Sequence, residues 1–154
     1  MKKLFPIGFS LAAVGALMLL VPTDAIAQSN QWRQQVGSYL AKAARAALPG
    51  YQLEGKKYFT GGLTNNRTTF FNVALNQSTG RRALLAVCDQ YCSDVDLRLI
   101  YNGKVVAQDV SVSDYPTIKI GPEIAGKFQV QVVMRGCKTK DPCYYGIGLF
   151  KQAV

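Results

Sequence analysis

Two cysteines, Cys88 and Cys92, bracket Asp89-Gln90-Tyr91. Two more, Cys137 and Cys143, bracket a second short stretch ending in Asp141-Pro142. Four cysteines permit three pairings. The C-x3-C and C-x5-C spacings are loose for a zinc site, and no C-x-x-C redox motif occurs. Close spacing favours the two local bridges, Cys88–Cys92 and Cys137–Cys143. The alternative is a cross-pairing that closes longer loops. On the loop-closure model each local bridge stabilises by about 2 kcal/mol.

Carboxylates form the second candidate set. Asp94 and Asp96 stand two apart in a strand pattern, so they share a face, and Asp89 precedes them at the cysteine loop. Oxygen ligands converging from loops suit Ca²⁺, and a carboxylate pair suits glycoside cleavage. Arg98 shares that strand face, so a solvated Asp-Asp-Arg stripe is the competing reading. No cofactor motif is present, and calcium is the one metal these residues suggest. The sequence contains no histidine. That excludes Ser-His-Asp and Cys-His catalysis and removes the usual general base near neutral pH. The residues therefore point to a protein that is not an enzyme. A hydrolase built on Asp94 and Asp96 is the weakest of three readings.

Tyrosines form the third set. Tyr91, Tyr115 and Tyr144 sit beside turn or cysteine positions. An apolar ring with a polar tip can stack on sugars or bind peptides. The other reading is that they seal the ends of the fold.

These residues need elements to hold them. Trp32 to Leu48 carries apolar residues at helical spacing, with Ser29 or Asn30 as an N-cap and Pro49-Gly50 as the stop. Its stripe either covers the neighbouring sheet or lies on a membrane or partner. After Gly55 the period changes to two. Strands are expected at Lys56–Thr60 (ended by Gly61-Gly62), Thr68–Leu75, Arg82–Cys88, Val95–Tyr101, Lys104–Gln108, Thr117–Ile120, Lys127–Met134 and Tyr144–Phe150. Asn102-Gly103 is the strongest hairpin signal. The expected fold is all-β, an antiparallel jelly-roll-like sandwich of about eight strands behind one N-terminal helix.

The N-terminus reads as an export signal. Met1-Lys2-Lys3 is basic, Leu11 to Val21 is apolar, and Ala25-Ile26-Ala27 suits signal peptidase. The apolar run is shorter than the ~20 residues of a spanning helix. This divides the chain into a signal peptide (1–27), a helix and linker (28–54) and a sandwich (55–154). A chain starting at Gln28 keeps 127 of the 154 residues. No cysteine precedes Cys88, so the expected product is periplasmic or extracellular and not a lipoprotein. The chain has 18 basic and 9 acidic residues; losing Lys2, Lys3 and Asp24 leaves a net charge of +8. Such a charge attracts anionic surfaces weakly. With no basic block longer than two residues, nucleic acid is not an expected partner.

Several segments together resemble the bacterial pre-peptidase C-terminal domain: Asp94-Val95-Asp96-Leu97-Arg98-Leu99, Gly103 to Asp109, Pro116 to Ile120, Gly126 to Val132 and Tyr145 to Leu149. The resemblance spans Gly55 to Phe150. It implies a jelly-roll-like sandwich of the kind appended to secreted peptidases, with a non-catalytic role in secretion, localisation or polymer binding. Two departures stand out. No peptidase sequence accompanies the domain here. The related collagen-binding domains take calcium through an acidic N-terminal linker, whereas Gln28 to Leu53 has no acid, so that calcium site does not carry over. The combined expectation is an exported binding or accessory module presenting loops to an envelope protein or polysaccharide. The alternative is a structural or stress-related envelope protein held to anionic surfaces by its charge.

Overall fold

The computed structural model describes residues 23–77 and 79–153. The apolar run of the expected export signal lies outside them. Helix α1 spans Thr23–Ala47. Eight strands follow: β1 Tyr51–Leu63, β2 Thr68–Leu75, β3 Arg82–Cys88, β4 Val95–Tyr101, β5 Lys104–Asp109, β6 Thr117–Ile120, β7 Gly126–Met134 and β8 Cys143–Gln152.

The strands form two antiparallel sheets, ordered β1-β8-β3-β6 and β2-β7-β4-β5. Strand pairs 1·8, 2·7, 3·6 and 4·5 are the ladders of one long ribbon folded in half and rolled up, which is the jelly-roll connection. The inner face of each sheet meets the other in one core. Leu84, Ala86, Val95, Leu97, Val130, Val132 and Ile147 fill it. Tyr145 belongs to this core. Burial raises its phenol above the ordinary tyrosine value, while a hydrogen bond with the Thr69 side chain pulls the other way.

The first sheet is covered on its other face by α1. Val36, Leu40, Ala44 and Leu48 pack on Ala83, Leu85, Val87 and Phe150. This explains why every residue of β3 is buried: odd and even positions both face a hydrophobic layer, so its sequence shows a continuous apolar run. The helix approaches β8 over glycines. A Cβ at Gly148 would come within 3.2 Å of Leu40 Cδ2, and one at Gly146 within 3.3 Å of Val36 Cβ. The apolar stripe of α1 therefore covers the sheet. Among the described residues, no helix is long and apolar enough to cross a membrane.

Three elements have bounds clearly different from the sequence reading, while β5 and β7 each gain one residue. Among the described residues the helix already runs from Thr23, ahead of the expected cap at Ser29 or Asn30. No breaker stands between Thr23 and Trp32, and alanine and glutamine extend a helix readily. The Ala25-Ile26-Ala27 motif thus lies within the helical stretch. Strand β1 begins at Tyr51, inside the segment read as linker, and runs through Gly61-Gly62. Those glycines are packing positions and not a stop: a Cβ at Gly61 would collide with the Tyr145 ring, 2.7 Å from Cζ. Finally, β8 is longer at both ends than Tyr144–Phe150. The β4–β5 turn is as expected, with Asn102 and Gly103 both left-handed (φ 49° and 75°), the conformation a two-residue hairpin requires.

Candidate functional site

All four cysteines gather at one end of the sandwich. Cys88 bonds to Cys92 and Cys137 to Cys143, each pair with Cα atoms 5.7 Å apart. The two bridges adjoin, because Cys92 and Cys137 form an antiparallel backbone bridge between them. The local pairing is the one that exists, and no described cysteine is free.

The aspartates at this end hold loops. Asp89 is 2% exposed. Its Oδ1 accepts from the Tyr91 N–H (3.0 Å) and its Oδ2 from the Tyr144 N–H (2.7 Å). Asp94 Oδ1 accepts from the Ser113 N–H at 3.4 Å, and the Val95 N–H donates to the Ser113 carbonyl at 3.0 Å. Asp109 pins the same loop from its other side. It accepts from the Ser111 hydroxyl (2.6 Å), the Ser111 N–H (3.2 Å) and the Thr117 N–H (2.8 Å). Burial pushes the Asp109 carboxyl up, but these hydrogen bonds outweigh it and leave the group below its usual value.

Asp96 is elsewhere in purpose. It is 3% exposed and is paired with Arg135 Nε at 3.1 Å and Arg98 Nη2 at 3.6 Å. Arg98 also donates to Gln108 and Gln131 on the neighbouring strands. The solvated Asp-Asp-Arg stripe is realised only in part: Asp96 pairs with Arg98 but is buried, Asp94 turns to the Ser113 loop, and Arg135 joins as a member the sequence did not reveal. Among the described residues, no three His, Cys, Asp or Glu side chains converge as a metal site. Asp89, Asp94 and Asp96 are each held by their own, separate protein partners.

The three tyrosines divide. Tyr144 stacks on Trp32, ring centroids 5.1 Å apart and planes 10° from parallel, and Tyr91 meets the same indole edge-on at 6.1 Å. Both act as seals between helix and loop, though Tyr91 stays 43% exposed. Tyr115 stands apart and is 53% exposed. It lines a groove of about 680 Å³ between α1 and the loops. Tyr39, Lys42 and Ala43 on the helix form one wall, and Gln90, Asp114 and Tyr115 form the other. Val87 and the Cys88–Cys92 bridge form its base.

The groove exists because Ala43, Ala46 and Ala47 are too small to close the space beside the loops. Two phenol rings, one ammonium, two carboxylates (Asp89 and Asp114) and one amide line it, giving stacking surfaces and hydrogen-bonding groups of both kinds. Neither Asp94 nor Asp96 lines it. Tyr39 escaped the sequence reading because it counts as one residue of the helix's apolar stripe, and Lys42 because it lies off that stripe. The run of alanines was the available sign that part of that stripe leaves room. Protein-family models give no match to the chain, and no curated protein matches it.

Proposed function

We propose that this chain is an exported, non-enzymatic binding module whose groove between α1 and the disulfide loops receives part of an envelope protein or polysaccharide. The observation that carries this is a preformed groove with fixed walls. The helix wall is docked through Val36, Leu40 and Ala44. The loop wall is tied by the Cys88–Cys92 bridge and by hydrogen bonds to Asp89, Asp94 and Asp109. A preformed site loses little ordering entropy on binding. Exposed Tyr115 and half-buried Tyr39 in its walls suit sugar rings or peptide side chains. The resemblance to the pre-peptidase C-terminal domain supports the same class of role, and the two disulfides suit an oxidising compartment.

The test is retention of the protein on immobilised peptidoglycan, a polysaccharide panel and envelope extracts. Saturable binding that persists in about 0.5 M salt, and that Tyr115→Ala weakens about tenfold without lowering Tm, is the expected result. Binding indifferent to Tyr115→Ala and to Lys42→Ala overturns the groove reading. Turnover of any of these substrates overturns the non-enzymatic one.

A second reading has its own observation. Arg33, Lys42 and Arg45 are exposed on α1, and no acid occurs from Gln28 to Leu53. A protein held to anionic polymers by this face loses retention steadily as salt rises.

A further inference from the structure

A jelly roll leaves four open strand edges, and proteins protect such edges from pairing with other chains. Three of the four here carry a protective device. Strand β1 has a register break between Leu53 and Tyr58, with Lys56 and Lys57 in its sequence. Strand β5 has a break opposite Leu99/Ile100 and begins with Lys104. Strand β6 has four residues, follows Pro116 and contains Lys119.

Strand β2 carries none of these. Thr68–Leu75 (TTFFNVAL) has no charge, proline or glycine. All eight residues pair with β7 in unbroken register. Its other edge meets no strand among the described residues. The flank beside it is apolar: Phe59 is 52% exposed and stacks on Phe71 of β2 with centroids 4.8 Å apart, and Phe70 is 50% exposed.

We propose that this edge pairs with the same edge of a second copy of the chain, forming a two-fold dimer whose outer sheets join into one of eight strands. The strand is its own fitting partner. An antiparallel pairing centred on Phe71 keeps inward residues opposite inward residues, because the opposed positions differ by an even number. Phe70 then faces Asn72 of the other copy, and Thr69 faces Val73. The two Phe59–Phe71 stacks meet at the axis, where each covers the half-exposed rings of the other. The interface is isologous and closed. A strand without charge meets no like-charge conflict across the axis, although the chain as a whole is basic. A charged partner peptide would find no counter-charge on this strand.

Sedimentation velocity and light scattering on the full disulfide-bonded protein test this, together with amide hydrogen exchange. The expected result is a concentration-dependent dimer with protected outer-edge amides in Thr68–Leu75. The variant Phe70→Lys/Asn72→Lys changes two solvent-facing positions and sets like charges across the axis. It should shift the dimer to monomer at least tenfold while leaving the monomer's circular dichroism unchanged. A wild-type protein that stays monomeric to ~100 μM, a concentration at which μM contacts are populated, overturns the proposal. So do a dimer that survives the double variant, assemblies that grow past two, and an edge that pairs only with a foreign peptide.

Discussion

The Asp89 carboxylate holds the Tyr144 N–H at 2.7 Å, joining the turn after β3 to the start of β8. The Asp89 N–H returns a bond to the Tyr144 carbonyl at 2.9 Å. The side chain thus extends the β3–β8 ladder past Cys88, where the strand itself stops.

Asp89→Asn should therefore be costly although nearly isosteric. The carboxylate accepts two backbone N–H bonds; an amide offers one oxygen and turns an NH₂ toward the second donor. A buried N–H without its partner costs about 1–3 kcal/mol. Chemical denaturation should show a loss in that range, and Asp89→Ala should lose more. No loss in either variant would refute the role given to Asp89.

Trp32 is the only tryptophan in the chain, so its fluorescence reports helix docking directly. Its stack on Tyr144 should give a blue-shifted emission that moves red when α1 lifts. Leu40→Ala, beneath the helix, should cost about 2–5 kcal/mol. Gly148→Val should undock the helix by filling the space that Leu40 and Leu53 occupy. Emission that stays blue in Gly148→Val contradicts this packing.

Asp109 gives the Tyr115 loop an acid sensitivity. Against the upward push of burial, its hydrogen bonds from Ser111 and Thr117 hold its folded pKa below the ordinary aspartate value. A depressed carboxyl stabilises the fold at pH above its unfolded value, and that contribution is lost as pH falls through the folded one. The group is mostly solvated, so the effect is small. Stability measured between about pH 5 and pH 2 should fall less steeply in Asp109→Asn than in wild type. Equal slopes would show that the carboxylate does not hold the loop.

Arg82 is buried in β3 and forks onto Glu54 at 2.8 and 3.2 Å, while its third contact is the Asn76 carbonyl at 2.6 Å. Removing one partner strands the other. Glu54→Gln should cost about 1.5–3 kcal/mol, the range for hydrogen bonds to a charged group. A melting temperature unchanged in Glu54→Gln would show that solvent replaces the carboxylate.

The strands were legible where one periodicity dominated. Phe128, Val130, Val132 and Met134 alternate because one face of β7 meets the core. The Asn102-Gly103 turn announces itself because few other dipeptides tolerate two left-handed residues. Glycine misled at Gly61: its role there is room for the Tyr145 ring, a long-range contact that leaves no local trace. The aspartates and tyrosines were legible only as separate sets. Their coupling depends on non-local ladders. Asp89 meets Tyr144, far along the chain, and Asp94 reaches the loop that carries Tyr115. The groove was illegible for the same reason, since its two walls come from segments far apart in the chain.

The two bridges are neighbours in place and strictly consecutive in order. Cys88 finds Cys92 four positions on, and Cys137 finds Cys143 six positions on. For a chain oxidised as it emerges from N- to C-terminus, each odd-numbered thiol in order of appearance is closed before the next pair arrives. Correct pairing then follows from simple succession. Such a protein can mature with an oxidant alone and places no demand on a disulfide isomerase.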